Sequence, residues 1–243
     1  LINLFGWRGP FVAIALACVL AAVLVAVTLP APAKEAGLEP VGTEFGTDTP
    51  PQGPTRITVR AWLVMVGSAT TAMAGLSVFV VSGSWLDDAF GVSTGGVGAV
   101  AMLFGATELV SSLGSAAFAD RLGKLRTTLG GLGALLAGLA VMINADARLW
   151  IGIVGIVVFL LGFELAFVVS LSLVSESMPN ARGTTLAASN AVGTVARASG
   201  AVLSGWLYGI HGIAGTAVLS AAAAAVAVTT LLLSRRPSLA AAR

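Results

Sequence analysis

The chain has 243 residues, 57% of them hydrophobic and only 10% charged; soluble domains carry about 25% charged residues, so water is not its main solvent. The net charge of +2 is small, and the basic residues fall in short connectors rather than along one face, which excludes a nucleic-acid surface. The single cysteine, Cys18, excludes an internal disulfide and any multi-cysteine metal site, and no metal or cofactor is expected.

The sequence opens on Leu1, with no basic stretch and no cleavage-like site ahead of the first apolar run. It is expected to begin partway through a longer protein. A hydrocarbon core about 30 Å thick takes roughly 20 apolar residues as helix, and the charge-free windows give the spans in order. The first covers 10–29, between Arg8 and Lys34. A Pro-, Gly- and Thr-rich connector follows over 30–60, with the composition of a flexible linker. The second span covers 61–83, ahead of Asp87, and the third 94–118, interrupted by Glu108. After a charged connector at 119–126 comes the fourth, between Arg126 and Asp146. The fifth covers 149–174 with Glu164 inside it, and the sixth 184–206 with Arg197 inside it. "GIHGIAG" (209–215) separates the sixth from a seventh at 214–233; His211 is expected in a turn without chemistry. Seven membrane-spanning helices are therefore expected, since an open set of strands cannot satisfy its backbone in lipid.

Orientation follows from Lys and Arg. One side receives Lys34, Arg56, Arg60, Arg121, Lys124, Arg126, Arg182, Arg235, Arg236 and Arg243, the other only Arg8 and Arg148. The linker, the 119–126 connector and the C-terminal tail are thus expected in the cytoplasm, in a multi-pass protein of the cell membrane.

Glu108, Glu164 and Arg197 lie within spans, about 18, 16 and 21 Å along the helix from the cytoplasmic ends. That is too deep for snorkelling, and a charge there costs about 2.5–3.5 kcal/mol on insertion scales. Ser111, Ser112 and Ser115 share a helix face with Glu108, and Asn190 and Thr194 share one with Arg197. Two readings stand side by side. Glu164 and Arg197 could form a buried ion pair that fixes packing, or the charges could line a transport cavity that binds substrate or protons. Gly130, Gly131, Gly133 and Gly138 in the fourth span, with Gly193, Gly200 and Gly205 in the sixth, suit close helix packing.

"AAFADRLGKLRTT" (116–128) resembles the loop signature of the major facilitator superfamily, Gly-x-x-x-Asp-Arg/Lys-x-Gly followed by basic residues. The match rests on Asp120, Arg121, Gly123, Lys124 and Arg126; it departs at Ala116, where the pattern has Gly, and at Leu125. "GWRGPF" (6–11) looks like the loop before helix six of drug-efflux-like members, and "ESMPNARGT" (176–184) resembles the loop between helices ten and eleven. The resemblance implies an all-α major facilitator-type bundle with helices six to twelve present. Residues 1–29 would end an N-terminal half that is otherwise missing, 30–60 would link the halves, 61–234 would form the six-helix C-terminal domain and 235–243 a tail. In that register helices seven, eight, ten and eleven approach the central cavity, and the three buried charges fall on eight, ten and eleven. The resemblance implies a secondary active transporter, proton-coupled and exporting a small molecule. Glu108, Glu164, Asn190 and Arg197 are its substrate- or proton-binding candidates, and Asp120 and Arg121 its cytoplasmic gate. Its expected partners are that substrate, protons, membrane lipid and the missing half.

Other functions find less support in the residues. A membrane enzyme lacks a His in any span, His-Glu-x-x-His and any Ser–His or paired-Asp arrangement. A retinal protein needs a lysine in a span, whereas Lys34 and Lys124 both lie in connectors. The chain carries no nucleotide-binding loop for ATP-driven transport. An inactive half-transporter remains open as an alternative.

Overall fold

The computed structural model describes residues 57–145 and 148–235, together with residues 16, 19, 20, 23 and 24. The chain divides into two compact units, Leu1–Gly53 and Pro54–Arg243. In the first, Leu16, Val19, Leu20, Val23 and Leu24 are helical, three and four residues apart, within the expected span 10–29. Cys18, the rest of that span and the linker up to Arg56 lie outside the described residues.

The second unit is built of helices: α1 Val59–Phe90, α2 Thr94–Leu122, α3 Lys124–Ile143, α4 Leu149–Ser177, a 3-10 turn Pro179–Ala181, and α5 Arg182–Leu233. All five α-helices are long and apolar enough to cross a membrane. Their starts and stops follow local chemistry. The Thr58 hydroxyl accepts from the Ala61 amide at 3.2 Å and Ser93 caps α2 in the same way. Gly91 closes α1 with φ 63°, a left-handed conformation that favours glycine.

With 52 residues, α5 would be about 78 Å long if straight, more than twice the hydrocarbon thickness. It is broken at Gly212 (φ 58°, ψ −151°). Ser204 and Thr216, which would lie about 18 Å apart in a straight helix, have their hydroxyl oxygens 3.5 Å apart. The chain therefore reverses at Gly212, and α5 supplies two arms, 182–211 and 213–233. Together with α1–α4 this gives the six spans expected between residues 61 and 233.

The expected connectors need correcting. The charged stretch 119–126 is not a loop: α2 runs through Asp120 and Arg121 to Leu122, α3 starts at Lys124, and Gly123 alone is non-helical. Likewise α1 continues past Asp87 and Asp88, and α4 reaches Ser177. Charge-free windows locate the lipid core, but a helix keeps its own hydrogen bonds beyond that core and has no reason to stop where charge begins.

In the packed unit α1 lies against both arms of α5, α3 against α4, and α4 bridges to α1 and α2. Hydroxyls tie helix to helix where lipid offers no partner. The Ser68 and Ser170 hydroxyls are 2.9 Å apart, Ser220 donates to the Ala74 carbonyl at 2.8 Å, and Ser204 donates to the Ser77 carbonyl. Buried Met65, Leu132, Leu135, Met142, Ile156 and Phe159 fill the core between them. At one end of the unit, Arg60, Leu125, Glu176 and Arg235 surround a single cavity. The start of α1, the start of α3, the end of α4 and the end of the last arm thus lie together, with Arg60, Lys124, Arg126 and Arg235 among their residues.

The α3–α4 contact depends on glycines seven residues apart on each helix. A Cβ on Gly131 would lie 2.7 Å from the Ala166 amide, and one on Gly138 2.4 Å from the Phe159 amide. Across the interface, a Cβ on Gly162 would lie 2.4 Å from the Leu135 amide. These neighbours are backbone and cannot turn aside. Gly130 and Gly133, on the same helix, have no such neighbour within 4 Å. Gly138→Val is therefore expected to force the helices apart and cost about 3 kcal/mol or more. Gly133→Ala should stabilise α3 by up to about 1 kcal/mol. Apparent melting temperatures in detergent check both; equal effects would contradict the assignment.

Candidate functional site

The middle of the unit holds two cavities. One, of about 160 Å³, is lined by Ala72, Gly75 and Phe79 of α1, Glu108 of α2, Phe163 and Phe167 of α4, and Arg197 of α5. The other, of about 380 Å³, is lined by Ser68 and Ala72, by Phe167 and Leu171, and by Leu186, Ser189, Asn190 and Arg197. Ala72, Phe167 and Arg197 border both. Four helices thus bring Glu108, Asn190 and Arg197 of the expected site to two cavities that share part of their lining.

Local chemistry aims the guanidinium. Arg197 Nη2 donates to Thr194 Oγ1 at 3.1 Å, and Thr194 Oγ1 donates to the Asn190 carbonyl at 2.8 Å. A one-turn relay on the face of α5 therefore orients Arg197 without an acidic partner. On α4, Leu160, Phe163 and Phe167 form the apolar wall, and the two phenyl rings stack with centroids 5.7 Å apart. Their i, i+4 spacing was visible in the sequence, but nothing there distinguishes them from ordinary lipid- or core-facing aromatics.

Glu164 does not line either cavity. One residue on from Phe163 it points about 100° away around the helix. It is half-buried. The ion pair between Glu164 and Arg197 is not formed: among the described residues the one ion pair joins Lys124 to Glu176. The serine face beside Glu108 also does other work. Ser111 is buried and donates to the Leu161 carbonyl at 3.1 Å, and Ser115 donates to the Ser112 carbonyl. The Ser111 hydroxyl thus ties α2 to α4, and neither serine lines either cavity.

At the α2–α3 junction, Gly123 has φ 84° and ψ 140°, outside what a residue with a Cβ readily adopts. Its amide donates to the Ala119 carbonyl at 3.0 Å, and Thr127 Oγ1 reaches across the junction to the Phe118 carbonyl at 3.1 Å. The turn is fixed from both sides. Lys124 of this motif pairs with Glu176 at the end of α4, a contact the sequence did not suggest. Asp120, Arg121 and Arg126 are exposed and without a polar partner among the described residues.

The sequence model of the Major Facilitator Superfamily matches residues 1–201 and, in a second alignment, residues 64–243. No curated protein matches the chain. The two alignments together cover every residue, and the chain belongs to the major facilitator superfamily, an all-α family of membrane transporters.

Gly123→Ala should place a side chain in a strained conformation costing about 1–3 kcal/mol. The Lys124–Glu176 pair has side chains 34% and 51% exposed, so Glu176→Gln should cost less than about 1 kcal/mol. Thermal unfolding of the two variants is expected to rank them in that order; the reverse order would mean that the ion pair, not the turn, holds the junction.

Proposed function

We propose that this chain is the C-terminal portion of a secondary active transporter, spanning helices six to twelve, that exports a small molecule in exchange for protons by alternating access. The observation that carries the reading is the placement of Glu108 and Arg197 on one cavity at mid-membrane depth with no ion pair between them. No ion pair satisfies either charge, and each costs a few kcal/mol to insert. Such residues persist where a cavity admits water or a ligand. In this reading Arg197, with Asn190 beside it, holds a polar group of the substrate, while Phe163 and Phe167 offer an apolar wall. Glu108 carries the coupled proton, and Glu164, on α4, is a second site for it. Asp120 and Arg121, exposed at the end of α2, contact the N-terminal half and part as the two halves rock. The basic end faces the cytoplasm of the cell, as positive-inside placement requires. This is a transport rather than a catalytic role.

Proteoliposomes containing the chain together with its N-terminal half test the reading. Arg197→Ala is expected to lower substrate flux about tenfold or more, a change equivalent to about 1.4 kcal/mol. Glu108→Gln should flatten the dependence of flux on pH, and Glu164→Gln should shift that dependence with a smaller loss of rate. Flux with an unchanged pH profile in all three variants would remove these residues from the mechanism.

A further inference from the structure

A third cavity, of about 170 Å³, lies at the basic end, away from the transport site. Arg60 at the start of α1, Arg235 after the last arm of α5, and Ser177 and Ser234 stand at its mouth. Val64, one turn inward from Arg60, and Leu173, one turn inward from Glu176 and Ser177, make its inner wall. Glu176 also borders it, but that carboxylate is already engaged by Lys124. Neither Arg60 nor Arg235 has an ion pair among the described residues. Two arginines without an ion pair, one at the start of α1 and one after the end of α5, thus line one pocket whose wall is half polar and half apolar.

The two serines complete the donor set. Ser177 Oγ donates to the Val174 carbonyl and Ser234 Oγ to the Leu231 carbonyl, each at 2.7 Å. Neither bond is made to another helix, so either hydroxyl can rotate toward a ligand without loosening the bundle. Arg60 borders the hydrophobic span 61–83, which puts the mouth at the level of lipid headgroups. Guanidinium forks match phosphate oxygens in geometry and charge.

We propose that this pocket binds the phosphate of an anionic phospholipid headgroup, with Arg60 and Arg235 clasping the phosphate and Val64 and Leu173 receiving the start of the acyl region. The apolar half of the lining, Val64, Leu125 and Leu173, favours a guest with an apolar part over a freely hydrated phosphate, which would leave these side chains facing a polar guest. Positive-inside placement alone accounts for basic residues at this end, but it does not require two of them to line one cavity.

The test is lipid binding by the purified 243-residue chain in detergent, read by native mass spectrometry and by thermal stabilisation. Phosphatidylglycerol, phosphatidylcholine and inorganic phosphate serve as probes. Retention of phosphatidylglycerol over phosphatidylcholine is expected. Arg60→Gln combined with Arg235→Gln should weaken that retention about tenfold or more, and Arg182→Gln, an exposed basic residue near the same end but outside the cavity, should not. If the double variant does not fold, the single Arg235→Gln, at an exposed helix end, should still show a several-fold loss. No preference for the anionic lipid, or a preference that survives the double variant, would overturn the proposal. Equal stabilisation by inorganic phosphate, lost in the double variant, would overturn the lipid assignment in favour of a soluble phosphate-bearing ligand.

Discussion

Hydrocarbon offers no hydrogen-bond partner, so a chain that lies in it must satisfy each of its polar groups from within. The rest of this structure follows from that requirement. The backbone meets it by forming long helices, and the hydroxyls meet it by bonding to their own turn or to a neighbouring helix. Ser68 with Ser170, Ser111 with the Leu161 carbonyl and Ser220 with the Ala74 carbonyl are of the second kind. No buried side-chain nitrogen or oxygen among the described residues lacks a partner. Where hydroxyls do not tie helices together, glycines let the backbones meet, as along α3 and α4. Lipid supplies little hydrophobic drive for helices to associate, so this close approach and these bonds carry the packing.

Against that background the ionisable groups in the spans stand out. Arg197 is oriented by a neutral relay through Thr194 rather than neutralised by an acid. Glu108 shares its cavity without contacting it. A protein that only needed packing would have done better with apolar residues at these positions. The arrangement makes physical sense if the charges serve a guest and a proton that come and go. The structural charges, by contrast, lie at the ends. Lys124 and Glu176 join α3 to α4 there, and Gly123 sets the angle at which α2 meets α3.

Much of the fold was legible in the sequence because lipid imposes a crude rule, that charge must be absent over roughly 20 residues. Six of the seven spans coincide with described helices, the last two of them separated by the glycines of "GIHGIAG" rather than by charge. The same rule misplaced the helix ends, since it reports lipid depth and not hydrogen bonding; "FADRLGKLRTT" read as a loop and is two helix ends around Gly123. That Arg60 and Arg235 share one end was legible as well, since they border one cavity together with Leu125 and Glu176. Contacts were not. Comparable depth made a Glu164–Arg197 pair plausible, yet the rotation of α4 turns Glu164 away from the face that carries Phe163. The pairing of Lys124 with Glu176, 52 residues apart, depends on the antiparallel packing of α3 and α4, which no local pattern encodes.

The central claim is that Glu108 and Arg197 face a water-accessible cavity at mid-membrane depth. It is tested most directly by cysteine accessibility in a background with Cys18→Ser. Cysteines placed singly at Glu108, Asn190 and Arg197 should react with a membrane-impermeant, water-soluble thiol reagent. Cysteines at Leu132 and Leu135, which are buried in the core, should not. Equal and slow reaction at all five positions would show that the cavity is dry and would contradict the account.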